Sequence, residues 1–196
     1  MTRAVEEIVP PGHWVIDPDH SSVNFDVEHL GITHLRGRFM DLAGRVESIE
    51  GALRGDASVA ATSIVTGSDV RDRHLQGADF LNAEQHPRIT FSLGEVRRDG
   101  ELLVVDGRLQ MKGVTRPIAL AATPGGLAKD PYGHDRVGLQ LDGEIARRDF
   151  GITFDPAGAL VGERIVLEID LSLVREADYV VDARERGDAS AAPGAS

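Results

Sequence analysis

Residues 165–173 read IVLEIDLSL. In this segment every odd-numbered residue is Ile or Leu, and three of the four residues between them are Glu, Asp or Ser. A period of two is typical of a β-strand with one buried face. The segment is longer than the usual strand of about 5–6 residues, and long strands in series favour a sheet that closes into a barrel.

The same alternation continues outward from this segment. It is clear in residues 137–145, VGLQLDGEI, and shorter alternating stretches cover residues 22–30, 35–39, 57–62, 89–93 and 103–111. Arg98-Asp99-Gly100 predicts a hairpin turn. Residues 114–122 predict a strand with ambiguous faces, and the turn-rich residues 124–135 predict a loop.

The alternation fails at residues 69–82, DVRDRHLQGADFLN, where Val70, His74 and Leu75 fall at helical spacing. One or two short helices are predicted there. The other connections are short, which favours an up-and-down antiparallel order. We therefore predict an all-β domain over residues 13–175, with eight antiparallel strands in a closed barrel. Residues 1–12 and 176–196 are predicted to be disordered tails.

Composition excludes several classes of protein. The chain has 21 Lys and Arg against 32 Asp and Glu, a net charge of −11, which disfavours nucleic-acid binding. It has no Cys, so disulfides and thiolate metal sites are ruled out. Residues 1–14 contain no long apolar run, and no segment approaches the ~20 apolar residues of a membrane span. We expect a cytoplasmic chain without membrane insertion.

The predicted inward faces are aliphatic and aromatic, with several Gly and Ala. Small inward residues leave room for a ligand, although the same faces could pack a solid core. His29 and Arg147 extend two of these apolar faces and should point inward. Arg147 requires a carboxylate, backbone carbonyls or the polar head of a ligand. His29 could bond a carbonyl in the core or donate to such a head.

Other chemistry finds little support. His29 lies an odd number of positions from His34, so the two side chains point to opposite faces of a hairpin strand and do not share a metal. His20 and Ser21 are adjacent, and there is no G-x-S-x-G motif, which argues against a hydrolase. We predict no metal, no cofactor and no catalytic residue.

Short motifs in a fixed order resemble those of the YceI-like family, the polyisoprenoid-binding, lipocalin-like proteins of bacteria. The resemblance covers roughly residues 14–174. It begins with W-x-I-D at Trp14–Asp17, then H-S at His20-Ser21 and V-x-H ending at His29. The remaining matching positions are Gly37, Phe39, Asp72, His74, Leu75, Asp79, Phe80, Pro87, Ile89, Phe91, Gly107–Leu109, Lys112–Thr115 and the R-x-D-F-G of Arg147–Gly151.

The resemblance implies an eight-stranded lipocalin-like barrel with a helix beside it, often dimeric, that holds a long-chain amphiphile such as a prenyl phosphate or an isoprenoid quinone. Arg147 could pair with a phosphate, and His29 could donate to a quinone or phosphate oxygen. An enzyme acting on such a lipid and a ligand-free interaction module are the alternatives. The candidate ligand-binding residues are His29, Arg147, Phe25, Phe39, Phe91, Leu109 and Leu139.

Overall fold

The computed structural model describes residues 8–156, 158 and 160–179 of the chain. The strands are β1 (Gly12–Ile16), β2 (Ser22–His29), β3 (Thr33–Phe39), β4 (Leu42–Ile49), β5 (Ala52–Ala60), β6 (Ile64–Val65), β7 (Arg88–Asp99), β8 (Leu102–Met111), β9 (Val114–Lys129), β10 (Asp135–Ala146) and β11 (Val161–Arg175), and α1 is Asp69–Gln76.

These eleven strand segments form eight barrel strands, because the first three strands are each interrupted once. β1 and β2 are two halves of one strand, as are β3 and β4, and β5 and β6. Each strand pairs antiparallel with the next along the chain. The last strand, β11, pairs with both β1 and β2, and this pairing closes the barrel. The predicted fold is confirmed.

The segments that predicted the barrel pair in register. Ile165 lies opposite Ile145, Leu167 opposite Gly143, and Leu171 opposite Leu139 across β10 and β11. The predicted apolar faces of β10 and β11 therefore lie on the same side of the sheet, and that side points into the barrel.

Two inward glycines make room for aromatic rings. A Cβ on Gly37 would lie 2.4 Å from Cζ of Phe25, and a Cβ on Gly107 would lie 2.3 Å from Cζ of Phe91. Each ring therefore covers the bare backbone of a neighbouring strand. The space expected from these two glycines is filled by protein side chains, and each ring lines one of the two cavities described below.

The loop predicted for residues 124–135 is wrong over most of its length. β9 continues to Lys129 and β10 begins at Asp135, so the connection is only residues 130–134. The strand accommodates its turn-forming residues through a bulge at Gly138/Leu139 and through Gly126, whose φ is +88°. Pairing along both strands outweighs the local preference of Pro and Gly for turns.

α1 confirms the predicted helix, which begins at Asp69 and ends at Gln76. The side chains it buries differ from the expected set. Val70 is 72% exposed, whereas the buried residue is Asp72. Within the part of the chain that the structure describes, no helix is long and apolar enough to span a bilayer.

The N-terminal boundary also differs from the expectation. Of the residues predicted as a tail, Ile8 and Val9 are buried, and the Val9 carbonyl accepts a hydrogen bond from Ser48 Oγ at 3.1 Å. Both side chains face the barrel interior because they are apolar and seal one of its ends. Residues 1–7 and 180–196, which hold most of the predicted tails, lie outside the described residues.

Candidate functional site

Two adjoining cavities occupy the barrel interior and one of its ends. The outer cavity has a volume of about 650 Å³ and lies between the β2–β3 hairpin, α1 and the segment that follows β10. The inner cavity, about 170 Å³, lies deeper among the strands. Four side chains line both: Phe39, Met111, Ile145 and Leu167. The two cavities therefore adjoin at these four side chains, and Ile8 and Val9 are among the residues that line the inner one.

The seven predicted ligand-binding residues all line one or both of these cavities. Phe25, His29 and Arg147 line the outer cavity; Phe91, Leu109 and Leu139 line the inner one; Phe39 lines both. The inner cavity is almost wholly apolar, whereas the outer one carries His, Arg, Thr and Glu side chains. Such a gradient suits a molecule with an apolar tail and a polar head. The role of these seven residues in binding stays a prediction.

Arg147 is 1% exposed and is hydrogen-bonded to backbone carbonyls. Its Nε donates to Gly162 O at 3.0 Å, Nη1 to Ile152 O at 2.8 Å and Phe154 O at 3.2 Å, and Nη2 to Val161 O at 3.1 Å. Of the alternatives for this residue, the structure shows the carbonyl partners.

Carboxylates lie farther from the Arg147 guanidinium. Asp155 Oδ2 is 3.7 Å from Nη2, and Glu163 Oε2 is 4.0 Å from Nε. Four of the five guanidinium N–H groups are held by carbonyls. The side chain thus ties Ile152 and Phe154 to Val161 and Gly162 of β11, and Ile152, Phe154 and Val161 line the outer cavity.

His29 has a different environment. It is half-buried at the end of β2, where it pairs with Thr33 and Val161. Its imidazole makes no hydrogen bond to any residue in the described ranges, so the carbonyl partner considered for it is not found there. Both ring nitrogens are available to a ligand in the outer cavity.

Residues of the cavity mouth were missed from sequence. Arg71, His74 and Leu75 of α1 line the outer cavity together with Phe80 and Phe154. His74 contacts both phenylalanines edge-on, with centroid distances of 5.1 Å to Phe80 and 5.0 Å to Phe154. The predicted helical face already contained His74 and Leu75, but its third member was taken to be the apolar Val70, which is exposed, whereas Arg71 lines the cavity.

A polar network fixes the start of α1. The buried Asp72 carboxylate accepts from the backbone amide of Thr66 at 3.0 Å and from the Thr66 hydroxyl. Arg71 Nε donates to Thr66 Oγ1 at 2.7 Å, and Arg71 Nη2 donates to Thr66 O at 2.7 Å. The network holds the Arg71 side chain at the wall of the outer cavity.

A second polar network lies at the β1–β10–β11 seam. The buried Asp17 accepts hydrogen bonds from the Asp19 amide, His20 and Arg136. Burial acts to raise the pKa of Asp17, but the hydrogen bonds from His20 and Arg136 outweigh it and hold the pKa below its ordinary value. The W-x-I-D and H-S motifs therefore build the closure of the barrel.

The geometry offers little to a metal ion. Within residues 8–156, 158 and 160–179, no three His, Asp or Glu side chains are grouped so that they could hold one.

The closed strand pairing and the two adjoining cavities define the class of protein, a β-barrel that encloses a cavity.

The family follows from sequence comparison. The YceI-like domain family matches residues 14–173, and the chain belongs to this family. Protein YceI of Escherichia coli O6:H1 is 35% identical over 154 residues, which cover 77% of this chain and 81% of that protein. The resemblance inferred from the motifs is confirmed.

Solved structures agree with the fold. The YCEI protein of Campylobacter jejuni has a TM-score of 0.65 at 28% identity, covering 76% of this chain and 89% of that one. A polyisoprenoid binding domain from Saccharophagus degradans has a TM-score of 0.66 at 17% identity, covering 83% of this chain and 98% of that one. The second likeness is one of fold.

Proposed function

We propose that this protein binds a long-chain amphiphilic lipid, a polyisoprenoid with a phosphate or quinone head, and carries or stores it inside the barrel. The observation that carries the proposal is the pair of adjoining cavities, of which the inner is apolar and the outer carries polar side chains. Membership of the YceI-like family and the fold shared with a polyisoprenoid binding domain support the choice of lipid.

Tail burial supplies the affinity. Each CH₂ moved from water into the cavity contributes roughly 0.8 kcal/mol, and ordering a flexible chain offsets part of it. A few buried isoprene units are therefore enough for a dissociation constant of about 1 μM, which corresponds to a binding free energy of roughly 8 kcal/mol. Tail burial of this kind selects length and shape only weakly, so the head distinguishes one lipid from another.

The head lies in the outer cavity in this proposal. His29, which lines this cavity at the end of β2, donates to a quinone carbonyl or a phosphate oxygen there. His29→Phe keeps the size of the ring and removes both nitrogens, so it should weaken a lipid with such a head more than the corresponding alkene. If His29→Phe bound the lipid with the polar head as tightly as the wild-type protein does, this role would be contradicted.

Organic extraction of the purified protein, followed by mass spectrometry, tests the proposal. We expect a long-chain amphiphile at a fixed ratio to protein. Ala57 lines the inner cavity, so Ala57→Phe fills it and should reduce the recovered lipid several-fold. Ala43→Phe is the control, because Ala43 is exposed on the adjacent β4. Wild-type protein without lipid, even after exposure to a lipid extract, would overturn the proposal.

An enzyme acting on the same lipid makes a different prediction. Incubation of the loaded protein would then change the mass of the lipid, whereas a carrier returns it unaltered. The cytoplasmic location, expected from the N-terminal sequence, and the homodimer, implied by the resemblance, both stay predictions. Sedimentation of the purified chain tests the homodimer.

A further inference from the structure

We infer that the outer cavity selects an anionic head group, and that Arg71 is the residue that binds it. The inference rests on the proposed function and goes beyond it, since it chooses an anionic head over a neutral quinone. It starts from the hydrogen-bonding state of the three arginines that line this cavity: Arg36, Arg71 and Arg147.

Two of the three are already engaged. Arg147 uses four N–H groups on backbone carbonyls, and Asp155 lies 3.7 Å from its Nη2. Arg36 is exposed, and its Nε is bonded to Asp26 Oδ2 at 2.8 Å, so its charge is largely compensated. Four of the five N–H groups of Arg147 are thus already used, and an anion at Arg36 would meet an exposed guanidinium whose charge Asp26 already compensates.

Arg71 differs in its partners. Its Nε and Nη2 bind the Thr66 hydroxyl and carbonyl, which are both neutral groups. No carboxylate in the described part of the chain lies within 4.0 Å of this guanidinium. Asp72, its neighbour in sequence, is buried with its carboxylate bonded to Thr66. Arg71 is thus a half-buried cation whose direct hydrogen bonds go to neutral groups, and the Asp72 carboxylate is linked to it through the Thr66 hydroxyl.

The free edge of Arg71 has the shape that an oxyanion requires. Nε and Nη2 share one edge of the guanidinium, and Thr66 occupies that edge. The other edge presents two parallel N–H groups, one each from Nη1 and Nη2. This fork matches two oxygens of a phosphate or carboxylate. Because Thr66 and Asp72 hold the side chain in place, little rotamer entropy is lost when an anion binds.

The remaining ionisable groups of the outer cavity are compatible with an anion. His29 can supply a donor, whereas one ring nitrogen of His34 is bonded to Asp26 and one of His74 to Asp79, and Glu28 is the carboxylate that also lines the cavity. Glu28 is exposed to water at the end of β2, whereas Arg71 is half-buried. Water therefore screens the charge of Arg71 less than it screens the charge of Glu28.

Binding of three farnesyl compounds tests the inference: farnesyl phosphate, farnesoic acid and farnesol. They share a tail and differ in the head, so the two acids separate phosphate from carboxylate recognition. Displacement of a fluorescent apolar dye gives each affinity for the full chain. We expect the wild-type protein to bind farnesyl phosphate at least about tenfold more tightly than farnesol, because a charge-assisted hydrogen bond is worth about 1.5–3 kcal/mol.

Arg71→Gln should remove most of that preference while the affinity for farnesol stays within about twofold, and Arg71→Lys should retain part of it. Arg73→Gln is the matched control, since it removes the same charge from an exposed position of α1. Unchanged preference in Arg71→Gln, or an equal loss for both compounds, would overturn the inference and leave the proposed function standing. Failure of the wild-type protein to bind any of the three would overturn both.

A measurement on the unmutated protein covers the case in which Arg71→Gln does not fold. An ionic contact at the mouth is screened by salt, so raising NaCl from 20 mM to 500 mM should reduce the preference for farnesyl phosphate over farnesol. A preference that does not change with salt would overturn the ionic contact without any substitution.

Discussion

Nη1 of Arg147 donates to the carbonyl oxygen of Ile152 at 2.8 Å, across the turn that ends β10. The same nitrogen also reaches Phe154 O. One fully buried cation therefore orders the chain segment that forms a wall of the outer cavity, and the R-x-D-F-G motif acquires a structural explanation. Gly151, the last residue of the motif, has a φ of +70° and lets the chain turn at this point.

Replacing Arg147 by Met should destabilise the fold. The change leaves four carbonyls without their donor, and we expect a loss of about 3 kcal/mol or more in the free energy of unfolding, measured in urea. Arg148→Met is the control, because the Arg148 side chain is exposed and pairs with Glu163. Full stability together with a selective loss of phosphorylated lipid would instead assign Arg147 to the head group.

Replacing Gly107 by Ala should also destabilise the barrel. The added Cβ would lie 2.3 Å from Cζ of Phe91 and 2.7 Å from the Ser92 carbonyl, so the ring and the strand must both shift. Overpacking of this kind costs about 1–3 kcal/mol. Phe91→Leu in the same chain removes the ring contact, and the double variant should be more stable than the sum of the two single changes predicts. Additive effects would argue against this ring-on-glycine packing.

Acid should weaken the seam through Asp17. Hydrogen bonds hold its pKa in the folded protein below the unfolded value of about 3.9. The carboxylate therefore stabilises the fold fully above the unfolded pKa, and this contribution is lost as the pH falls through the folded pKa.

The difference in unfolding free energy between wild type and Asp17→Asn should accordingly be largest near pH 7 and shrink towards pH 3. Urea titrations at several pH values measure it. Asp142→Asn, an exposed change on β10, controls for the loss of one negative charge. A difference that stays constant over this pH range would contradict the assignment.

Phe154 should slow the release of ligand. Its ring packs against Phe80 at 5.3 Å and His74 at 5.0 Å beside the cavity mouth. Phe154→Ala opens this cluster, and we expect a severalfold faster dissociation rate in stopped-flow dye displacement. Tyr132→Ala serves as control, because Tyr132 is 83% exposed in the β9–β10 turn. An unchanged dissociation rate in Phe154→Ala would place the exit route elsewhere.

The sequence by itself determined the strand faces, because alternation depends on the local direction of successive side chains. The alternating apolar side chains of residues 165–173 and 137–145 point inward as their pattern predicts. The side chains of Phe25 and Phe39 do the same. The order of short motifs also identified the family. Both signals are local, so neither needed the strands to be assembled first.

Tertiary structure decided which inward residues are free to meet a ligand. The pattern placed Arg147 inside, but only the folded chain shows its donors bound to carbonyls that follow it in sequence. Gly37 and Gly107 indicated empty space, and packing fills it with Phe25 and Phe91. Arg71 was not part of the predicted helical face, which held Val70 instead. The position of its guanidinium depends on Thr66 and Asp72, whose hydrogen bonds form only once the residue after β6 and α1 are folded together.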